Sequence, residues 1–269
     1  MKIGLGTYCF RWSIGHKDRV PEKPMTAMDV LDFGISEGCA VVQYADNLPL
    51  DKLSIEEIDA LAEKARQHNV ILELGTQSFD AEQVRVYLDI AKRINAPILR
   101  IALDGEDAAT SIEDLAAAFR PLLATAREIG CKIAIENHFN YPSQRMVTLL
   151  EAVNDDCLGV CLDVANSICA KEWPEETIKL LAPFTINLHL KDYDIIPDFY
   201  GAGFTISGRP LGQGRTDIGF VFDALKDQLS DMSLIVEHWL PYEGSPKEVY
   251  DREIEWTREN LRVARNSIS

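Results

Sequence analysis

Ile133-Ala134-Ile135-Glu136 is a short apolar run that ends in a carboxylate, and three later runs share its pattern. These runs are Val160-Cys161-Leu162-Asp163, Ile186-Asn187-Leu188-His189 and Leu234-Ile235-Val236-Glu237. The terminal residues are 27, 26 and 48 positions apart, and the first two intervals suit one βα unit each. Burying an unpaired charge is costly, so a strand that ends in this way presents the side chain to a site. Three carboxylates and one imidazole at strand ends therefore predict a divalent-cation site.

Strand-like apolar runs alternate with amphipathic helical segments along the whole chain. The predicted strands cover residues 3–10, 40–45, 70–76, 98–103, 132–137, 158–163, 186–191 and 234–238. No glycine-rich turn follows the first strand, which argues against a doubly wound open sheet. Eight βα units without a linker predict an α/β fold of the (β/α)8 TIM barrel type, with a single domain over residues 1–269.

The composition limits the partners that we expect. A formal net charge of −16 excludes nucleic acid, because binding to it relies on clustered Lys and Arg. No apolar run reaches the ~18 residues of a membrane span, and the N-terminus lacks a signal-peptide pattern. The six cysteines form no CxxC pair, as expected for reduced thiols. We therefore expect a cytoplasmic protein with a small-molecule partner, and the sequence leaves homo-oligomerisation open.

The active site of such a barrel lies at the C-terminal ends of its strands. We therefore predict that the metal ligands are Glu136, Asp163, His189 and Glu237. Mainly oxygen ligands suit Mn²⁺ first, with Mg²⁺, Co²⁺ or Zn²⁺ as alternatives. The three ligand carboxylates outweigh the charge of one divalent ion. This balance favours a neutral keto sugar as substrate unless a nearby Lys or Arg compensates.

These motifs resemble the xylose-isomerase-like superfamily of sugar isomerases, epimerases and related metal-dependent lyases. The matching stretches are 134–137, 161–166, 188–192, 210–214 with Asp217, and 235–237. In ketose epimerases of this superfamily two glutamates bind the metal and also exchange protons with the substrate. The resemblance assigns those catalytic roles to Glu136 and Glu237. It implies isomerisation or epimerisation of a keto sugar or sugar derivative through an enediolate, in carbohydrate metabolism.

Five further residues are predicted to contact the substrate: His138, Asn166, Lys191, Arg209 and Arg215. His138 and Lys191 follow Glu136 and His189 by two positions and so share their inward parity. Asn166 stands where many relatives have histidine, and it offers a hydrogen bond but no proton. The two arginines belong to a long segment after the seventh strand, and we expect that segment to shape the pocket.

Other functions fit the same metal site. A decarboxylase of a 3-oxo sugar acid, of the 3-oxo-isoapionate type, is the main alternative, and Lys191 or Arg209 placed for a substrate carboxylate would favour it. An inosose dehydratase or a 3-keto C-glycoside lyase is open on the same grounds. An apurinic endonuclease is the weakest match, because those enzymes use a histidine-rich zinc cluster and this chain has five His. A non-catalytic binding protein is disfavoured by the intact glutamate pair.

Overall fold

The computed structural model describes residues 1–77 and 79–268. Its strands are β1 (Lys2–Gly6), β2 (Val41–Tyr44), β3 (Ile71–Gly75), β4 (Ile98–Ala102), β5 (Lys132–Glu136), β6 (Leu158–Asp163), β7 (Thr185–Leu190), β8 (Asp192–Pro197), β9 (Phe204–Arg209) and β10 (Ser233–Val236). Eight of these strands are parallel and close into a barrel in the order β1-β10-β7-β6-β5-β4-β3-β2. The (β/α)8 barrel predicted from the sequence is therefore confirmed.

Helices surround this barrel. They are α1 (Arg11–Ile14), α2 (Ala27–Ser36), α3 (Ile55–Gln67), α4 (Ala81–Ile94), α5 (Ile112–Ile129), α6 (Ser143–Val153), α7 (Pro174–Leu181), α8 (Ile218–Leu225) and α9 (Pro246–Ile268). Thr26 and Ser54 begin α2 and α3 with reciprocal capping boxes. Gly130 ends α5 at φ +73°, a left-handed conformation that glycine adopts without strain. None of the described helices is long and apolar enough to cross a membrane.

The first strand is shorter than the sequence predicted. β1 ends at Gly6, and Thr7–Phe10 form a 3₁₀ turn instead of continuing the strand to Phe10. The Thr7 hydroxyl donates to Asn47 Oδ1 at 2.6 Å and accepts from the backbone N–H of Ala45 at 3.0 Å. These bonds tie the chain to the segment after β2, so it leaves the ladder and crosses the top of the barrel.

The segment after β7 is more regular than predicted. Instead of an irregular loop over residues 193–214, β8 and β9 form an antiparallel hairpin. The Asp192 carboxylate accepts from the backbone N–H groups of Gly212, Gly214 and Thr216 at 2.8–2.9 Å. A Cβ atom on Gly214 would lie 2.4 Å from Asp192 Oδ1, so this approach requires glycine. The hairpin thus leaves and rejoins the barrel at one buried carboxylate.

Inside the barrel, the side chains separate into an apolar base and a polar upper part. Ile98, Ala134 and Cys161 form a small apolar cluster of their own, against which Ile186 packs. Alternate residues on the same strands point to the same face, so the positions two residues later carry Arg100 and Glu136. The main core lies between the strands and the helices and is a separate cluster. The polar upper part opens at the C-terminal ends of the strands.

Candidate metal centre

The four predicted metal ligands converge at the C-terminal end of the barrel. Glu136 and Asp163 end β5 and β6, His189 lies on β7, and Glu237 directly follows β10. All four are buried, with at most 3% exposure. Ligand atoms of Glu136, Asp163 and His189 lie within 4.8 Å of one another. Glu237 adjoins this group, because its Oε1 lies 3.5 Å from His189 Nδ1.

Glycine at position 6 makes room for Glu237. A Cβ atom on Gly6 would lie 2.9 Å from Glu237 Oε1 and 3.1 Å from a side-chain carbon of Ile235. Any larger residue would therefore displace the carboxylate toward the barrel axis. The position of Glu237 thus depends on the residue at the end of the neighbouring strand β1.

Two buried cations offset the charge of the three carboxylates. Lys191 Nζ lies 2.6 Å from Asp163 Oδ2 and 2.9 Å from Glu237 Oε2. Arg100 Nε lies 3.3 Å from Glu136 Oε2. Burial opposes ionisation of Glu136, but the Arg100 guanidinium outweighs it and holds the pKa of Glu136 well below its usual value. Lys191 similarly outweighs burial and lowers the pKa of Glu237.

The unpartnered atoms at the centre fit a divalent cation. His189 Nε2 lies 2.7 Å from Gln43 Oε1, whereas Nδ1 lies 3.4 Å from Glu136 Oε1 and has no hydrogen-bond partner among the described residues. Within the same part of the chain, Glu237 Oε1 is also buried without a hydrogen-bond partner. Buried polar atoms normally have hydrogen-bond partners. Two neighbouring atoms without partners, beside carboxylates, therefore indicate a binding site for a ligand. The donor set of carboxylate oxygens and one imidazole nitrogen suits Mn²⁺, Mg²⁺, Co²⁺ or Zn²⁺.

A cavity of about 400 Å³ lies over this centre. Its walls include Glu136 and Glu237, together with three of the predicted substrate contacts: His138, Asn166 and Lys191. Asn166 Nδ2 donates to Glu136 Oε1 at 3.0 Å, so the amide fixes a proposed ligand as well as lining the cavity. Burial opposes a charge on His138, but its bond to Asp104 outweighs this and raises the pKa of His138.

The two predicted arginine contacts are not brought to this cavity. Arg209 ends β9 and forms an ion pair with Asp194 across the hairpin, with an N–O distance of 3.7 Å. Arg215 lies at a separate small pocket beside Tyr193 and Asp217. Neither residue is among those that line the central cavity. Arg209 is held by its ion pair within the hairpin, and Arg215 lies between Gly214 and Thr216, whose backbone N–H groups are fixed to Asp192.

The structure adds residues that the sequence reasoning missed. Arg100 contacts Glu136, and Asp46 lies 3.5 Å from the Arg100 guanidinium. Tyr8 and Arg11 line the cavity from the turn after β1, with the Arg11 guanidinium 4.9 Å from the centre of the Tyr8 ring. The inward position of Arg100 could have been predicted from the sequence. This residue stands in the apolar run Ile98–Ala102, where an isolated charge must face a partner inside the barrel.

Comparison with known proteins supports this architecture. A family model described as a xylose isomerase-like TIM barrel matches residues 36–260. The chain is 30% identical over 261 residues to the 3-oxo-isoapionate decarboxylase of Pectobacterium atrosepticum, covering 97% of this chain and 94% of that protein.

Two solved structures share the fold over nearly their whole length. D-psicose 3-epimerase in the presence of D-fructose aligns with a TM-score of 0.72 at 15% identity, covering 98% of each chain. The IOLI protein with a binding zinc atom aligns with a TM-score of 0.72 at 18% identity, covering 100% of this chain and 98% of that one. At these identities the alignments show the fold alone. The family model and the 30% identity over 97% of the chain show that this chain belongs to the xylose isomerase-like TIM barrel family.

Proposed function

We propose that this chain is a divalent-metal-dependent decarboxylase of a 3-oxo sugar acid. The observation that carries the proposal is the charge balance of the centre. Four carboxylates face three cations at the centre: Glu136, Asp163, Glu237 and Asp46 against Arg11, Arg100 and Lys191. One carboxylate charge is therefore uncompensated, and a divalent ion makes the centre net positive. A positive, buried site favours an anionic substrate over a neutral sugar. The identity with a 3-oxo-isoapionate decarboxylase supports the same substrate class.

The proposed ligands are Glu136, Asp163, His189 and Glu237, and Mn²⁺ is the proposed ion. A bound divalent ion supplies a Lewis acid for the 3-oxo group of the substrate. Decarboxylation breaks the bond between the carboxylate carbon and the α carbon. The electron pair of that bond passes into an enolate, CO₂ leaves, and the α carbon then takes up one proton.

The chain's own residues have separate roles in this reaction. Asn166 holds Glu136 through its amide, and Arg100 keeps that carboxylate ionised. Glu237 lines the cavity beside Lys191, so we assign to its carboxyl group the delivery of the proton that returns to carbon. Lys191 compensates Asp163 and Glu237 and contributes positive potential to the cavity wall.

An isomerase or epimerase acting on a keto sugar is the second candidate. The observation that favours it is the pair Glu136 and Glu237, which approach His189 from strands on either side of β6 and β7. Two carboxylates so arranged can remove a proton from one face of a substrate and return it to the other. The likeness in fold to D-psicose 3-epimerase is compatible with this reading.

One experiment separates the two candidates. The Mn²⁺-loaded protein is incubated in D₂O with a 3-oxo sugar acid and, separately, with the matching neutral ketose. The proposal expects CO₂ release from the acid, with deuterium only at the carbon that lost CO₂. Deuterium exchange and epimer formation on the ketose, with no CO₂ from the acid, would overturn it in favour of the second candidate.

A further inference from the structure

A buried carboxylate inside the barrel has no part in the chemistry proposed above. Glu73 on β3 is completely buried. Among the described residues no Lys or Arg lies within ion-pair distance of it. Burial raises the pKa of this carboxyl group, and hydrogen bonds from its neighbours oppose the increase. A buried acid without a cation is expensive, so its hydrogen-bond network needs an explanation.

Three donors from three strands converge on Glu73. Ser233 Oγ donates to Oε1, while Gln43 Nε2 and Asn187 Nδ2 donate to Oε2 at 3.0 and 3.1 Å. Gln43 Nε2 also donates to Asn187 Oδ1 at 3.1 Å, and Cys161 Sγ donates to the same oxygen. Each amide therefore has its nitrogen toward acceptors and its oxygen toward donors. With Glu73 accepting as a carboxylate, the network is closed and assigns one orientation to the Gln43 amide.

That orientation determines which nitrogen of His189 carries a proton. With its Nε2 committed to Glu73 and Asn187, Gln43 must present Oε1 to His189 Nε2, at a distance of 2.7 Å. An amide oxygen only accepts, so Nε2 must carry the hydrogen. Nδ1 is then the nitrogen whose lone pair is available. It is also the nitrogen without a partner, beside Glu136 and Glu237.

We propose that Gln43 and Glu73 are positioning residues that hold His189 in its Nε2–H form and so reserve Nδ1 as a ligand for a divalent cation. Neither side chain touches that site directly. Gln43 acts through the imidazole, and Glu73 acts through the amide of Gln43. Partners of this kind, one step behind a metal-binding histidine, commonly contribute ~10- to 100-fold in metal affinity.

Two variants separate the effect of hydrogen-bond direction from the effect of side-chain packing. Gln43→Met keeps similar bulk but removes the acceptor that faces His189 Nε2. The exchange Gln43→Glu with Glu73→Gln keeps an acceptor there, because the new carboxylate accepts from His189 Nε2 and from the new amide. The Asn187 amide must also turn over in this variant, so that Nδ2 donates to position 43 and Oδ1 accepts from position 73. Ser233 still has an acceptor in that variant. Glu253→Gln is the matched control, since Glu253 is another buried carboxylate, bonded to Trp12 and Ser13 far from His189.

The test combines Zn²⁺ affinity by calorimetry with ¹⁵N spectra of histidine-labelled, Zn²⁺-loaded protein. The Zn²⁺-loaded state is used because a ring nitrogen that binds the metal cannot also carry a proton. The spectrum therefore shows which nitrogen of His189 binds Zn²⁺. His189→Gln assigns the signals. The wild type, the exchange variant and Glu253→Gln should show a proton on Nε2 and similar affinities. Gln43→Met should bind Zn²⁺ ~10- to 100-fold more weakly, with faster solvent exchange of the Nε2 proton.

Three outcomes would overturn the proposal. The first is a proton on Nδ1 in the loaded wild type, with Zn²⁺ on Nε2. The second is an affinity of Gln43→Met within twofold of wild type. The third is a folded exchange variant that loses affinity as strongly as Gln43→Met, which would reduce the network to packing. If Gln43→Met does not fold, the wild-type spectrum and the affinity of the exchange variant still test the proposal.

Discussion

Lys191 and Asp163 form a buried ion pair, with Nζ 2.6 Å from Oδ2. The same ammonium reaches Glu237 Oε2 at 2.9 Å, so it bridges two carboxylates that we propose as metal ligands. Burial opposes the charge on Lys191, but the two carboxylates outweigh it and raise the pKa of the ammonium group. The lysine therefore stabilises the site while competing with a metal ion for the same oxygens.

Replacing Lys191 should separate these two effects. We expect Lys191→Met to bind Mn²⁺ more tightly, because a competing cation is gone, yet to decarboxylate a 3-oxo sugar acid roughly 10²-fold more slowly, because positive potential at the reacting group is lost. Calorimetry and CO₂ release measure the two quantities. Lys179→Met is the control, since Lys179 lies over the Phe220 ring and outside the cavity. Weaker Mn²⁺ binding in Lys191→Met would show that the lysine supports the ligands instead.

The metal site has a matched control elsewhere in the chain. Asp155, Asp156 and Cys157 also form a compact ligand-type cluster, but Arg127 forms ion pairs with both of its carboxylates. We expect Asp163→Asn to lower Mn²⁺ affinity at least ~10-fold and Asp155→Asn to leave it unchanged.

Removal and return of the metal test the same site. Chelation should abolish activity, and Mn²⁺ or Co²⁺ should restore it better than Ca²⁺, which prefers more ligands. Metal analysis of both aspartate variants accompanies the assay. Full turnover after exhaustive chelation would rule out a metal-dependent mechanism.

The two glutamates should be needed for turnover beyond metal binding. Glu136→Gln and Glu237→Gln are each expected to lower kcat at least ~10²-fold, the usual scale for losing a positioned acid or base. Glu237→Gln should also lose deuterium delivery to the carbon that released CO₂. Glu172→Gln is the control, because Glu172 bonds to Ser143 outside the cavity. Unchanged turnover in both variants, with metal content confirmed, would leave these residues as ligands only.

Arg11 lines the cavity, and no carboxylate of residues 1–77 and 79–268 forms an ion pair with it. Its Nε is buried without a hydrogen-bond partner in the same residues. We expect Arg11→Met to raise KM for a 3-oxo acid about tenfold, equivalent to about 1.4 kcal/mol, with a smaller change in kcat. Arg19→Met, which removes an exposed guanidinium over Tyr242, should have no such effect. An equal rise in KM for a neutral ketose would show that Arg11 does not recognise the acid group.

Glu253 should make stability depend on pH. Burial raises the pKa of Glu253 to about 7 from an ordinary 4.5, although Ser13 and Trp12 donate to it. Between these values the folded protein holds a proton that the unfolded chain has released. The free energy of unfolding should therefore fall as pH rises from 4.5 to 7, by up to about 3 kcal/mol.

Urea unfolding at several pH values measures this dependence. Glu253→Gln should remove the fall, whereas Glu255→Gln, an exposed neighbour on the same helix, should keep it. Parallel pH profiles for the wild type and Glu253→Gln would show that Glu253 ionises normally in the folded protein.

The sequence predicted the barrel and the convergence of four strand ends, because strand period and parity follow from local pattern. It also contained a signal for the interior network. Gln43 and Glu73 are polar residues in the apolar runs of β2 and β3, at positions that face each other across neighbouring strands. The placement of Arg209 and Arg215 away from the central cavity could not be predicted, because it depends on how the chain closes at Asp192, a tertiary contact that no local pattern encodes.

The Asp192 closure has a consequence for how this barrel can change. Both ends of the β8–β9 hairpin are fastened at one carboxylate, immediately after Lys191 in the chain. The segment between these two ends can therefore be lengthened, shortened or exchanged with little displacement of Lys191. None of residues 194–207 lines the central cavity, so this part of the chain is free to vary in sequence and length while Lys191 keeps its place in the wall.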